Sequence, residues 1–215
     1  MSRITVLGGT GYAGSAVVAE AVSRGHQVTA FSRSLPDGGI PGVTYLQGDA
    51  LDEVALKSAI SHSDVVVGAL APRGALAGPF REVYRTIARL ADAAGVPLYV
   101  VGGFSSLRPA PGADRFVADL GHAPAEYHDE IIAAAALVSD DLPATPPTLD
   151  WVFVSPAAGF GAHVPGERLG HYRLGDDVVV RPEDGGAISG QDYALGLVDL
   201  IEAGDRHRAH VNLGY

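Results

Sequence analysis

Seven residues, Gly8-Gly9-Thr10-Gly11-Tyr12-Ala13-Gly14, separate a short apolar run from a stretch of helical periodicity. No other part of the chain restricts the fold as strongly. A glycine at position 8 permits a tight turn, one at 11 lets backbone approach a ligand, and one at 14 lets the helix pack close to the strand. A loop of this kind in a first strand-to-helix turn leaves the helix N-terminal N–H groups aimed at its mouth, where a dinucleotide pyrophosphate binds. Thr10, Tyr12 and Ala13 would take part through backbone N–H groups, which side-chain identity barely constrains. The spacing is G-x-x-G-x-x-G, not the G-x-G-x-x-G of simple dehydrogenases.

The rest of the chain continues the same alternation. Residues 3–7, 27–31, 43–46, 64–67, 98–101 and 150–154 read as strands, and 12–23, 52–60, 80–94, about 125–138 and 191–203 as helices. Gly25 and Gly95 close two of these helices. The strands lack polar alternation, which predicts a parallel sheet covered on both faces. Residues 104–124 are rich in proline and glycine and are candidates for a lid. Residues 156–175 read as irregular, followed by a short strand pair. The expected architecture is α/β: one Rossmann-type, doubly wound, mostly parallel sheet over residues 1–215, with a small C-terminal substrate-covering region. The acceptor site would come mainly from 104–124 and 155–190.

Composition narrows the function. A net charge of -10 argues against a nucleic-acid partner, which needs clustered Lys and Arg. There is no cysteine, so disulfides, thiolate catalysis and zinc–thiolate sites are excluded. His122, His128, His163 and His171 show no metal-ligand spacing with carboxylates, and no metal is expected. Apolar runs such as 131–138 fall well short of the roughly 20 residues that span a bilayer. The start leads straight into Ile4-Thr5-Val6-Leu7 with no leader pattern, so a cytoplasmic protein without a membrane partner is expected.

Cofactor choice rests on the end of the second strand, where an acidic residue would bond the ribose 2'-hydroxyl of NAD. Arg33 stands there, 19 positions beyond Gly14, between Ser32 and Ser34. A guanidinium with two hydroxyls suits a 2'-phosphate, so NADP(H) is expected over NAD(H). Asp49 is a candidate for the adenine edge, or a cap on the following helix. Ala69, Leu70 and Ala71, and Gly102 and Gly103, fall at carboxyl ends of strands, where ligands lie in such sheets.

Short-chain dehydrogenases activate a tyrosine with a lysine four residues on, whose charge lowers the phenol pKa. The chain has one lysine, Lys57, with Glu53 four residues before it, while Tyr127 is followed at that spacing by Ile131. Electron-poor acceptors such as flavins and quinones manage without this pair, because solvent supplies the proton. Ser105 and Tyr127 are the candidate catalytic side chains, with Ser106 and His128 beside them. The expected activity is NADPH-dependent hydride transfer to such a small-molecule acceptor. Alternatives are a non-catalytic NADP(H)-binding sensor, and a ketoreductase or epimerase using Ser105 or Tyr127 as its acid. Oligomeric state stays open.

Several longer segments resemble a known family. They are Gly8 to Gly14, Val100-Val101-Gly102-Gly103-Phe104-Ser105-Ser106-Leu107, Trp151-Val152-Phe153-Val154-Ser155-Pro156, residues 165–175 (from Pro165-Gly166-Glu167 to Arg173-Leu174-Gly175) and Ile188-Ser189-Gly190-Gln191-Asp192-Tyr193-Ala194. Together they resemble atypical short-chain dehydrogenase-like proteins of the NADH-flavin reductase type, related to flavin/biliverdin-IXβ reductases and to NmrA-like regulators. The resemblance implies NAD(P)H binding, with Ser105 near the nicotinamide, Ser155-Pro156-Ala157 on its other side, and a shallow acceptor site under 165–175.

Overall fold

A computed structural model describes residues 1–180 and 186–215. In chain order the elements are β1 (Arg3–Leu7), α1 (Tyr12–Ser23), β2 (Gln27–Ser32), β3 (Val43–Gln47), α2 (Glu53–Ile60), β4 (Val65–Gly68), α3 (Phe80–Ala94), β5 (Leu98–Val101), α4 (His128–Ala136), β6 (Trp151–Pro156), β7 (Arg173–Gly175), α5 (Gly190–Ala203) and β8 (Ala209–Gly214). They form an α/β fold around one eight-stranded sheet in the order β3-β2-β1-β4-β5-β6-β8-β7. Every adjacent pair is parallel except β7 with β8.

Both faces of the inner strands are buried, which explains strands without polar alternation. Ile4 and Val6 of β1 join Val28, Val67, Val152 and Val154 under α1 and α5, where Val17, Val18, Tyr193, Leu197 and Val198 pack. Leu7, Phe31, Val66, Val100 and Phe153 point the other way, against Leu56 and Ile60 of α2 and Val83, Ile87 and Leu90 of α3. α3 is the most amphipathic helix: Phe80, Val83, Tyr84, Ile87, Leu90 and Ala91 form its buried stripe. It stops at Gly95, which takes the left-handed conformation (φ 66°) that glycine adopts without strain.

Two expectations are corrected, and one strand is new. The helix over 125–138 is composite: a 3-10 turn at Ala125–Tyr127, then α4, then a π-helical turn Leu137–Asp141. Arg81 and Arg85 grip Asp141 at 2.7 and 2.9 Å, beside that widened turn. The short strand pair expected beyond 175 falls partly on residues 181–185, outside the described residues; β7 lies earlier, inside the segment read as irregular, and pairs with β8. β8 was not anticipated at all. It inserts between β6 and β7, with Val211 and Leu213 on one face alternating with His210 and Asn212 on the other.

The strand order reverses between β2-β1 and β4-β5, so the ligand crevice of such a sheet lies outside the carboxyl ends of β1 and β4. No helix among the described residues is long and apolar enough to cross a membrane.

Candidate cofactor and acceptor site

The glycine loop leaves β1 with Gly8 at φ 87°, its N–H donating to the Phe31 carbonyl of β2 at 2.8 Å. A Cβ at Gly8 would stand 2.6 Å from the Ala69 carbonyl oxygen, because the end of β4 presses against the turn. A Cβ at Gly14 would stand 2.2 Å from the Gly8 carbonyl oxygen, so only glycine lets α1 sit this close to the strand. Gly11 is different. A Cβ there would meet only the Gly8 oxygen, at 3.4 Å, so the protein's own packing leaves this position open. Gly11 also caps α1 with no side-chain hydrogen bond, and the helix's first turn carries no acidic residue. The first N–H groups of α1 therefore face an open, uncapped mouth, which fits a pyrophosphate.

Beyond β2, Arg33 and Ser34 are exposed, and among the described residues no ion pair engages the Arg33 guanidinium. The Ser32 hydroxyl is half engaged: it donates to the Ser34 carbonyl at 2.8 Å. Arg33 lends its own carbonyl to Gln47 Nε2 at 3.0 Å, which ties this loop to the end of β3. The cap on α2 is Asp52, which accepts from Val54 and Ala55. Asp49 instead accepts from the Leu51 amide at 3.0 Å as a local turn, and is exposed beside Arg33's loop. Leu70 hangs on the buried Tyr84 hydroxyl at 3.2 Å, which fixes Ala69 and Leu70 at the end of β4, while Ala71 is exposed.

At the end of β5, Gly102 lies against Phe153, whose ring would be 2.2 Å from a Cβ there, whereas Gly103 has no neighbour within 4 Å of that position. The 3-10 turn Phe104–Ser106 follows and carries the buried Ser105. Ser155, Pro156 and Ala157 are buried at the end of β6. The Ser155 hydroxyl lies 3.0 Å from the Gly103 carbonyl and 2.8 Å from His210 Nε2. Burial first, then the Arg115 guanidinium, pushes the His210 imidazole down to about 3, so the ring is neutral. Tyr127 is 46% exposed at the start of α4, with Arg73 and Glu130 paired beside it at 2.7 Å.

Two covering segments flank this edge, and both are tied down. Residues 104–116 are bridged to 177–179: Arg108 N–H donates to the Asp177 carbonyl, Val179 N–H to the Arg108 carbonyl, and the Asp177 carboxylate pairs with Arg108 and Arg115 at 3.0 and 3.2 Å. Residues 165–175 are clamped by Asp192, whose buried carboxylate accepts from the Leu169 and Gly170 amides, Ser189 and Tyr215. Burial alone would raise its pKa, but the Tyr215 hydroxyl and these amides together hold it below the usual carboxylate value. Tyr12, from the glycine loop, joins the clamp: its hydroxyl donates to the Pro165 carbonyl at 3.0 Å and accepts from the Gly190 amide at 2.9 Å. Residues 181–185 of the expected acceptor region lie outside the described residues. A groove of about 580 Å3 lies at the opposite end of β1 and β2, lined by Arg3, His26 and Thr29 among others, away from the strand ends where such sheets bind ligands. No group of three His, Asp or Glu among the described residues could hold a metal ion.

Residues 8–203, from the first glycine of the loop to the end of α5, match the model of the NAD(P)H-binding family. The chain belongs to this family. The NAD(P)H-binding chain is 32% identical to the uncharacterized protein YwnB of Bacillus subtilis over 98% of its own length and 95% of the relative's. It is similar in structure to a "putative epimerase" from Bacteroides thetaiotaomicron (TM-score 0.87, 31% identity, 99% of this chain and 96% of that one). It is also similar to a "putative NADH-flavin reductase" from Streptococcus pneumoniae (TM-score 0.82, 29% identity, 99% of both chains).

Reading by sequence missed His210, Asn212, Arg115, Asp177 and the clamping role of Asp192. Only β8 carried a usable signal, the alternation of Val211 and Leu213; Arg115 reaches His210 at 3.0 Å across 95 positions, Asp177 reaches Arg108 across 69, and Asn212 reaches Val180 at 2.6 Å across 32.

Proposed function

We propose that this NAD(P)H-binding protein is a reductase that uses NADPH to reduce a flavin-like or quinone-like acceptor. The observation that carries the reading is an open, uncapped cofactor mouth joined to an acceptor end without lysine. The one lysine, Lys57, is exposed in the last turn of α2. A bound nicotinamide supplies the hydride, and an electron-poor acceptor takes its proton from solvent. The α1 N-terminus would hold the pyrophosphate, Arg33 with Ser34 the 2'-phosphate, and the Ser105 turn the nicotinamide end. Similarity to the pneumococcal "putative NADH-flavin reductase" supports the acceptor class.

The test is NADPH oxidation with FMN, riboflavin and quinones; tight NADPH binding without turnover of any of them defeats the reading. For the cofactor, Arg33→Asp is expected to weaken NADPH binding by about 2 to 3 kcal/mol, the scale of a lost charge-assisted contact, and to spare NADH. Unchanged NADPH affinity in a titration removes Arg33 from the site. A second reading is favoured by the exposure of Tyr127 and by the name of the Bacteroides relative: an epimerase or ketoreductase with Tyr127 or Ser105 as its acid. Turnover of a hydroxy or keto substrate that survives Tyr127→Phe with Ser105→Ala excludes it.

A further inference from the structure

The geometry points to His210, on the last strand, as a positioning residue that holds the Ser105 turn through a hydrogen-bond relay running in one fixed direction. The inference rests on the reductase reading for its effect on turnover, though not for the relay itself. A guanidinium can only donate, so Arg115, 3.0 Å from His210 Nδ1, requires a lone pair there. The neutral ring then carries its proton on Nε2, aimed at Ser155 Oγ 2.8 Å away. Having accepted that bond, the Ser155 hydroxyl donates its own proton to the Gly103 carbonyl at 3.0 Å. Arg115 closes the circuit by donating from the same nitrogen to the Ser106 carbonyl. The carbonyls on either side of Ser105 are thus both fixed by groups that meet at His210.

Ser155 is wholly buried, so its hydroxyl is no nucleophile, and the Asp177 carboxylate faces Arg108 and Arg115, not the ring. Phe153 packs edge-on against the imidazole at 5.2 Å, which holds the ring between Arg115 and Ser155. The relay joins β8, β6, the end of β5 and the 104–116 cover into one unit. It sets where the Ser105 turn stands over the crevice.

The experiment compares wild type, His210→Ala and His210→Gln, whose amide keeps an N–H for Ser155 and a carbonyl for Arg115. Long-range 15N–1H spectra, with the Gln variant identifying the resonance, are expected to show His210 as the Nε2–H tautomer. In His210→Ala, NADPH affinity by fluorescence titration is retained while kcat for the acceptor drops about 100-fold, the effect of moving a reacting arrangement by about 1 Å. His210→Gln restores most of that loss. An Nδ1–H tautomer, an unchanged kcat in His210→Ala, or equal losses of NADPH affinity and kcat would overturn the inference. Should His210→Ala fail to fold, a His210→Gln variant with wild-type affinity and kcat supports the relay, and one with the full loss counts against it. A wild type that binds NADPH and reduces no acceptor sinks the reductase reading instead, and the relay then stands or falls on the tautomer.

Discussion

At the β1–β2 end of the sheet the site is made of backbone and shaped by steric fit: Gly8 turns against Ala69, Gly14 lets α1 rest on Gly8, and Gly11 is left open. At the β5–β6–β8 end it is made of side chains brought from far along the chain, with Gly103, Arg115, Ser155 and His210 meeting in one partly buried network. The first end presents unpaired N–H groups to a ligand, and the second satisfies its polar groups internally. The contrast is one of cost. An open helix terminus is tolerable in water. A buried polar cluster is stable only when every donor finds an acceptor, which is what makes the second end rigid.

Breaking the steric end should have the largest effect. Gly14→Ala places a methyl 2.2 Å from a backbone oxygen and is expected to lower stability by about 3 kcal/mol and to abolish NADPH binding. Gly11→Ala, with its nearest contact at 3.4 Å, should melt within about 0.5 kcal/mol of wild type yet weaken NADPH binding. Thermal melts and NADPH titrations of the two variants separate packing from ligand space. Equal stabilities would erase the distinction drawn between the two glycines.

The polar end is tested by acid. His210 is held at about 3 when folded and sits near 6.5 in an unfolded chain, so below pH 6.5 the unfolded state takes up a proton that the folded state refuses. Stability contributed by this group is complete above pH 6.5 and is lost as pH falls toward 3, by about 3 kcal/mol at pH 4.5. Urea unfolding between pH 7 and 4.5 should show this acid limb, and His210→Gln should flatten it. A limb of the same depth in the variant would mean that other groups cause it.

Smaller effects belong to the clamp between the two ends. Asp192→Asn weakens four hydrogen bonds to a carboxylate and is expected to cost about 2 kcal/mol, with residues 165–175 becoming open to proteolysis. Tyr12→Phe removes one hydroxyl shared by Pro165 and Gly190 and should cost about 1 kcal/mol. If Tyr12→Phe weakened NADPH binding more than it weakened the fold, the clamp would belong to the cofactor end.

Legibility in the sequence followed the same division. The loop, the parallel strands and helices α1, α2, α3 and α5 are read from patterns spanning fewer than about 20 residues, because tight turns, caps and apolar periods are local requirements. β8 escaped notice because His210 and Asn212 look like a solvated face, whereas both are drawn into the protein by Ser155, Arg115 and Val180. The composite α4 region escaped because Arg81 and Arg85, from α3, hold the widened turn at Asp141.

By itself the sequence determined that this chain makes a doubly wound sheet and that a glycine turn opens its first helix toward a dinucleotide. Glycine is the one residue that meets those backbone demands, and so its spacing records them. Only the tertiary structure decided that Asp52 and not Asp49 caps α2, that Ser155 is buried, and that His210 is neutral with its proton toward Ser155. Hydrogen-bond direction and burial depend on which distant groups become neighbours, and no local pattern carries that information.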